Sequence, residues 1–327
     1  MLRFRPDMFM VSLLATLVAA TALPCQGTSA QLIGLLGKLA IAALFFLQGA
    51  RLSRDAVLGG LTNWRLHIMI AGTTFMLFPL LGGTFARLAP GAMPGTLWLG
   101  VLFLCALPST VQSSIALTSI ARGNVPGALC AATASNLGGM LLTPLLLGLM
   151  VHLHGSGLHI AGAWKILVEL LLPFAAGHLL RPYVGEWVQR HRPVLSITDR
   201  GSILLVVYGA FSAAVVHGIW HQVPPMTFAT LFLICTALLT LALIAMRICG
   251  RLFFRREDEI AIVFCGMQKS LVTGVPMASV LFAGPTLGLV VLPLMIYYPM
   301  QLLVCAVLAR RYAAATEPAL APVAVAG

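Results

Sequence analysis

Long apolar runs alternate with short, turn-rich connectors along almost the whole chain of 327 residues. The runs fall at about 8–24, 31–50, 66–86, 95–121, 125–152, 162–184, 201–219, 225–247, 259–283 and 286–309. About 20 apolar residues in a helix cross a hydrocarbon layer roughly 30 Å thick. Connectors such as Ala89-Pro90-Gly91, Val223-Pro224-Pro225 and Ala283-Gly284-Pro285 carry residues that stop helices. The pattern predicts an all-α membrane protein of ten transmembrane helices and leaves no room for a large soluble domain.

Composition supports this reading. The chain is 60% hydrophobic and 9% charged, with a mean hydropathy of +0.99, whereas soluble domains carry about 25% charged residues. A net charge of +11 would suggest nucleic acid in a soluble protein, but here the basic residues gather at the ends of apolar runs. That distribution reports topology, because loops on the cytoplasmic side collect Lys and Arg. With ten spans, one side holds Arg3, Arg5, Arg51, Arg54, Arg65, Arg122, Arg181, Arg190, Arg192, Arg200, Arg247, Arg251, Arg255, Arg256, Arg310 and Arg311. The other side holds Arg87 and Lys165, and Lys38 and Lys269 lie inside spans. Both termini then face the cytoplasm of a bacterial inner membrane, with residues 312–327 as a cytoplasmic tail. The first run follows Arg3 and Arg5 and also has the form of a cleaved signal peptide; the even count of spans favours keeping it as a helix.

Two spans are interrupted. Span four contains Leu107-Pro108-Ser109-Thr110-Val111-Gln112-Ser113-Ser114, and span nine contains Cys265-Gly266-Met267-Gln268-Lys269-Ser270-Leu271-Val272-Thr273-Gly274-Val275-Pro276. Proline removes a backbone donor and disrupts the preceding turn, and polar residues at membrane depth must be buried in protein or line a wet cavity. The two stretches also match each other: Val111-Gln112-Ser113-Ser114-Ile115-Ala116 reads like Met267-Gln268-Lys269-Ser270-Leu271-Val272, 156 residues later. Five spans separate the copies, and an odd number inverts the second relative to the first. Residues 8–152 and 162–311 are therefore expected to form two inverted five-helix repeats within a single transmembrane unit, with helices four and nine discontinuous and crossing. This is an architecture of secondary transporters.

The crossing defines the candidate site. Thr110, Gln112, Ser113, Ser114, Gln268, Ser270 and Thr273 offer neutral donors and acceptors there, and half-helix N-termini present a positive field to an anion. Span five adds Thr133, Ser135 and Asn136 within a small-residue stretch running to Gly138-Gly139; Asn136 is the preferred member, since its amide both donates and accepts. Packing between helices is the competing explanation for these hydroxyls and amides.

Enzyme chemistry lacks its residues. The sequence has no His-Glu-x-x-His, Gly-x-Ser-x-Gly or Walker loop, no expected span contains an aspartate, and His154-Gly155-Ser156-Gly157 sits in an external loop without a second catalytic group. No metal-type Cys-x-x-Cys spacing occurs, and neither a cofactor nor a resident metal is called for. A channel and a solute-binding regulator are the nearer rivals to a carrier.

The motif around Pro108 and Gln112, the run Ala121-Arg122-Gly123-Asn124-Val125, and the stretch Phe264-Cys265-Gly266-Met267-Gln268-Lys269-Ser270-Leu271 with Gly274-Val275-Pro276 resemble the bile acid:sodium symporter family. Val291-Leu292-Pro293-Leu294-Met295 and Cys305 to Tyr312 extend the resemblance over nearly the whole chain. The closest branch is that of the bacterial relatives of solute carrier family 10 member 7. The resemblance implies a core domain holding the crossed helices, a panel made of spans one, two, six and seven, and a substrate cleft between the two. It also implies sodium ions held around the crossing, with Ser113, Ser114 and Gln268 on such positions. Two departures stand out: the symporters carry a carboxylate where this chain has Phe264, and a neutral residue where it has Lys269. An ammonium about 4 Å from a bound sodium opposes it by about 4 kcal/mol at an effective dielectric near 20, roughly a thousandfold in affinity. Lys269 is therefore expected to stand in for a site cation, neutralising the crossing and attracting a small organic anion or amphipathic solute; coupling to protons or to sodium stays open. Lys38 and Glu169 lie at similar depths in spans two and six and are expected to pair as structural glue. His178, after Ala175-Ala176-Gly177, reads as a packing histidine ahead of a proton relay.

Overall fold

In hydrocarbon every backbone amide must find its partner within the chain, and the computed structural model meets that demand with helices. The structure describes residues 8–51, 63–153, 171–218, 224–282, 284 and 286–315. Its helices are α1 (Met8–Ala22), α2 (Thr28–Arg51), α3 (Trp64–Leu88, with a π turn at Thr73–Leu77), α4 (Gly95–Ala106), α5 (Gln112–Ile120), α6 (Val125–Leu153), α7 (171–179), α8 (Arg181–Arg190), α9 (Arg192–Val216), α10 (Pro225–Phe253), α11 (Arg256–Met267), α12 (Leu271–Leu281) and α13 (Thr286–Ala314). Seven stretches among the described residues are long and apolar enough to span a membrane, with α11 and α12 taken together as one of them; α1 and α4 are shorter apolar helices. No strand occurs among the described residues.

The helices form two groups. In one, α9 packs against α1 and α2, and α2 against α8. The contact of α2 with α7 is close: a Cβ on Gly49 would sit 2.0 Å from the Phe174 carbonyl oxygen, and one on Gly177 would sit 2.0 Å from that of Phe46. Only glycine lets these backbones approach so far. The second group comprises α3 to α6 and α10 to α13, with α11 at its centre, where every residue from Glu259 to Met267 is buried. Gly100 brings α4 onto α13, since a Cβ there would meet Val290 O at 2.5 Å. Asn124 ties one end together: its Oδ1 accepts from Gly127 N at 2.8 Å, and its Nδ2 donates to Asp258 at 2.7 Å.

One expectation is corrected. Span seven begins well before residue 201: α9 starts at Arg192, set up by Pro193 in its first turn, and so carries Asp199. The statement that no span contains an aspartate therefore fails. Asp199 is 7% exposed and pairs with Arg51 of α2 at 2.5 Å, which is how a buried carboxylate is tolerated. The connector before α9 is also helical, as α8. The Lys38 to Glu169 pair falls outside the described residues because Glu169 does; Lys38 itself lies on an exposed part of α2.

Candidate functional site

The chain leaves helical geometry at both expected places. α4 stops at Ala106, its C-cap Leu107 is extended, and α5 resumes at Gln112. α11 stops at Met267, Gln268 and Ser270 are extended, and α12 resumes at Leu271 with Ser270 Oγ accepting from Thr273 N. The two breaks are bonded to each other. Ser270 N donates to Pro108 O at 2.9 Å, and Ser109 Oγ donates to Cys265 O at 2.5 Å. Neighbouring helices satisfy more of the freed backbone: Ser109 N donates to Ser135 Oγ at 3.1 Å, and Thr143 Oγ1 to Ala106 O at 2.8 Å. On α13, Gln301 takes the Lys269 amide at 2.7 Å and returns its own Nε2 to the Lys269 carbonyl at 2.9 Å, while Tyr297 OH donates to Met267 O at 2.9 Å. Gly139 makes room for the first break, because a Cβ there would lie 2.5 Å from Pro108 Cβ.

Side chains from the two breaks converge on the fully buried Gln268. Its Oε1 accepts from the hydroxyls of Thr110 and Ser113, and Ser114 Oγ lies 3.3 Å away. Ser113, Ser114 and Gln268 are thus together. Among the described residues no carboxylate joins this cluster: Phe264 is buried and packs its ring edge-on against Tyr312, with centroids 6.2 Å apart. Beside it, the Thr273 hydroxyl donates to Asn136 Oδ1 at 2.9 Å and sits 2.5 Å from Ser270 Oγ. Gln112 is the expected member that stays out. Its side chain is exposed and lines the adjacent cavity.

Lys269, expected to stand in for a site cation at the crossing, does not line the cavity. The side chain is fully buried, and its Nζ donates to the carbonyls of Thr74 at 3.0 Å, Cys105 at 3.0 Å and Leu107 at 2.8 Å. The Phe78 ring closes a fourth side, 4.1 Å from Nζ to its centroid. Cys105 and Leu107 are at the end of α4, where carbonyls lack helical partners and the helix dipole is negative. Thr74 belongs to the π turn of α3; such turns interrupt regular helical bonding. The ammonium therefore fills a cradle of backbone oxygens behind the crossing. Snorkelling to an interface is excluded for it.

A cavity of about 750 Å³ lies between the two groups of helices. Thr110, Gln112, Ser113, Thr133, Asn136, Ser270 and Thr273 line its inner wall, and Leu302, Leu303, Ile203 and Met140 give it apolar sides. Arg51, Asp199, Arg200 and Arg310 stand around it as well. Since Asp199 is paired with Arg51, the wall carries net positive charge. These charged residues were missed as site members because each sits at the end of an apolar run and reads as a topology signal. The lone Gln301 in span ten was the overlooked sign of the backbone clamp.

Comparison with known proteins agrees with this geometry. The sequence matches the SBF-like CPA transporter family over residues 7–314. It is 52% identical to the uncharacterised protein PA2026 of Pseudomonas aeruginosa, covering 98% of this chain and 97% of that one. It is 47% identical to the putative symporter YfeH of Escherichia coli, covering 95% and 94%. Identity to sodium/bile acid cotransporter 7 of Rattus norvegicus is 27%, covering 94% and 92%. A match over nearly the full length, two bonded helix breaks and a cavity beside them lead to one conclusion: the chain belongs to the SBF-like CPA transporter family and is a multi-pass membrane transporter of the bile acid:sodium symporter type, not an enzyme.

Proposed function

We propose that this protein is a secondary transporter of a small organic anion or amphipathic solute, working by alternating access in a bacterial inner membrane and without the two-sodium site of the family's bile acid symporters. The carrying observation is that the two interrupted helices meet at the wall of one cavity whose surface combines apolar sides, neutral hydrogen-bonding groups and an excess of arginine. An anion with an apolar body matches all three. Thr110, Gln112, Ser113, Asn136, Ser270 and Thr273 orient the polar group of the substrate. Gln268 and Ser114 hold the crossing behind them. Lys269 acts as a tethered cation, supplying positive charge at the end of α4 without touching the substrate.

Ten helices in two inverted repeats, 8–152 and 162–311, complete the proposal, with both termini cytoplasmic. The 156-residue offset supports it. So does the gathering of Arg51, Arg200 and Arg310 around one cavity and of Arg247, Arg251, Arg256 and Arg311 around another. A sodium-coupled symporter is the second reading, favoured by the convergence of Ser113 and Ser114 on Gln268 Oε1 and by the name of the rat relative. Purified protein in liposomes, loaded with a panel of organic anions and tested with and without sodium and pH gradients, separates the two. Saturable counter-flow independent of sodium supports the first reading, and flux that requires sodium supports the second. Flux linear in concentration would identify a channel, and binding without flux a regulator.

A further inference from the structure

A second cavity, of about 520 Å³, opens where the end of α10, the start of α11 and the end of α13 meet. We infer that it binds the phosphate group of an anionic phospholipid.

Charge carries the first step. Arg247, Arg251, Arg256 and Arg311 surround the cavity against one carboxylate, Glu259. That carboxylate is already engaged: its Oε1 accepts from Tyr312 OH at 2.8 Å and from Arg251 Nε at 3.3 Å. Like charges held close together repel unless an anion sits among them. The arrangement is also built, because Tyr312 serves as a post for the others. The Arg247 guanidinium lies over its ring at 5.6 Å, Arg256 Nη2 donates to its carbonyl at 3.4 Å, and Phe264 of the interrupted helix packs against the ring edge to face, with centroids 6.2 Å apart. Gly250 allows the close approach, since a Cβ there would meet Glu259 Cγ at 2.8 Å. Planar guanidinium groups bind phosphate oxygens in pairs.

The surroundings choose the source of the phosphate. On α10, Ile248, Leu252 and Phe253 are exposed beside Arg247 and Arg251, with Leu252 69% and Phe253 74% accessible. An apolar flank next to a basic pocket at a helix end suits a lipid, whose acyl chains lie along the first and whose headgroup enters the second. A soluble phosphate has no use for that flank. In the topology proposed above, the pocket faces the cytoplasmic leaflet.

The test uses the full-length protein, stripped of lipid in a neutral detergent, with binding followed by native mass spectrometry and thermal unfolding. Phosphatidylglycerol is expected to bind and protect at concentrations where phosphatidylcholine does neither. R256Q/R311Q should weaken phosphatidylglycerol binding about thirtyfold, counting roughly five- to sixfold per arginine. R256K/R311K should retain most of it, and R190Q, on the exposed surface of α8, should match the parent. Equal binding of the two lipids, an unchanged preference in R256Q/R311Q, an equal loss in R190Q, or protection by inorganic phosphate at the lipid's concentration would each overturn the assignment. None of these readouts depends on whether the protein transports an anion.

Discussion

Ser109 Oγ donates to the carbonyl oxygen of Cys265 at 2.5 Å, and these residues are 156 positions apart, the same offset that aligns the two interrupted motifs. Equivalent residues of two repeats touch only near the axis relating them, so this contact is what the proposed inverted repeat would produce at its crossing. Ser109→Ala would leave a buried carbonyl without its partner at that point, a loss of about 1–3 kcal/mol. Thermal unfolding in detergent measures it, and a variant as stable as the parent would show the bridge to be dispensable.

Removing Lys269 strands three carbonyls. Lys269→Met is expected to destabilise the protein by about 3 kcal/mol, because unpaired buried acceptors each carry a desolvation cost. Lys269→Gln and Lys269→Asn should lower uptake and alter its dependence on cations. Unchanged uptake and unchanged ion dependence in liposomes would remove the lysine from the mechanism.

Gln268→Ala takes away the acceptor on which the Thr110, Ser113 and Ser114 hydroxyls converge. Uptake should fall more than tenfold while the protein still purifies as a folded species. Gln112→Ala, on the open cavity wall, should instead change the apparent affinity for substrate more than the maximal rate. The same effect from both variants would mean that the crossing and the wall do not have separate roles.

Asp199→Asn leaves the Arg51 guanidinium without its counter-charge beside the cavity, at an expected cost of about 3 kcal/mol. The double variant Arg51→Gln with Asp199→Asn should recover part of that loss. A double-mutant cycle reads the coupling, and simple additivity would deny that the pair holds α2 to α9.

Gly49→Ala and Gly177→Ala each introduce a Cβ 2.0 Å from a carbonyl oxygen of the opposite helix, so α2 and α7 must separate. Overpacking of this kind costs about 1–3 kcal/mol. Gly34→Ala, with no atom within 4 Å, should be neutral. Equal midpoints for all three by thermal unfolding would contradict the close crossing.

The elements were legible in the sequence where hydrophobicity and helix-breaking residues act locally. Pro108 and the polar run around Gln268 announced both interruptions, whereas the close approach at Gly177 went unread. What the sequence hid depends on backbone atoms and on distance along the chain. The partners of Lys269 are carbonyls of Thr74, Cys105 and Leu107, and no side-chain pattern encodes a carbonyl's direction. Asp199 stands among Arg192, Thr198 and Arg200, a polar stretch that reads as a connector although α9 runs through it. Gln112 looked equivalent to Gln268, but one faces the cavity and the other the protein interior.

The cradle behind the crossing has an energetic consequence. In the proposed cycle the Lys269 side chain travels with the polypeptide and cannot be exchanged with either compartment in the way a bound sodium ion is. A side chain filling that position can shape the electric field along the path, yet it harvests nothing from a sodium gradient. Accumulation driven by sodium would need an ion that enters and leaves elsewhere in the molecule; with neither a sodium ion nor a proton coupled to it, a carrier equalises its solute across the bilayer and goes no further.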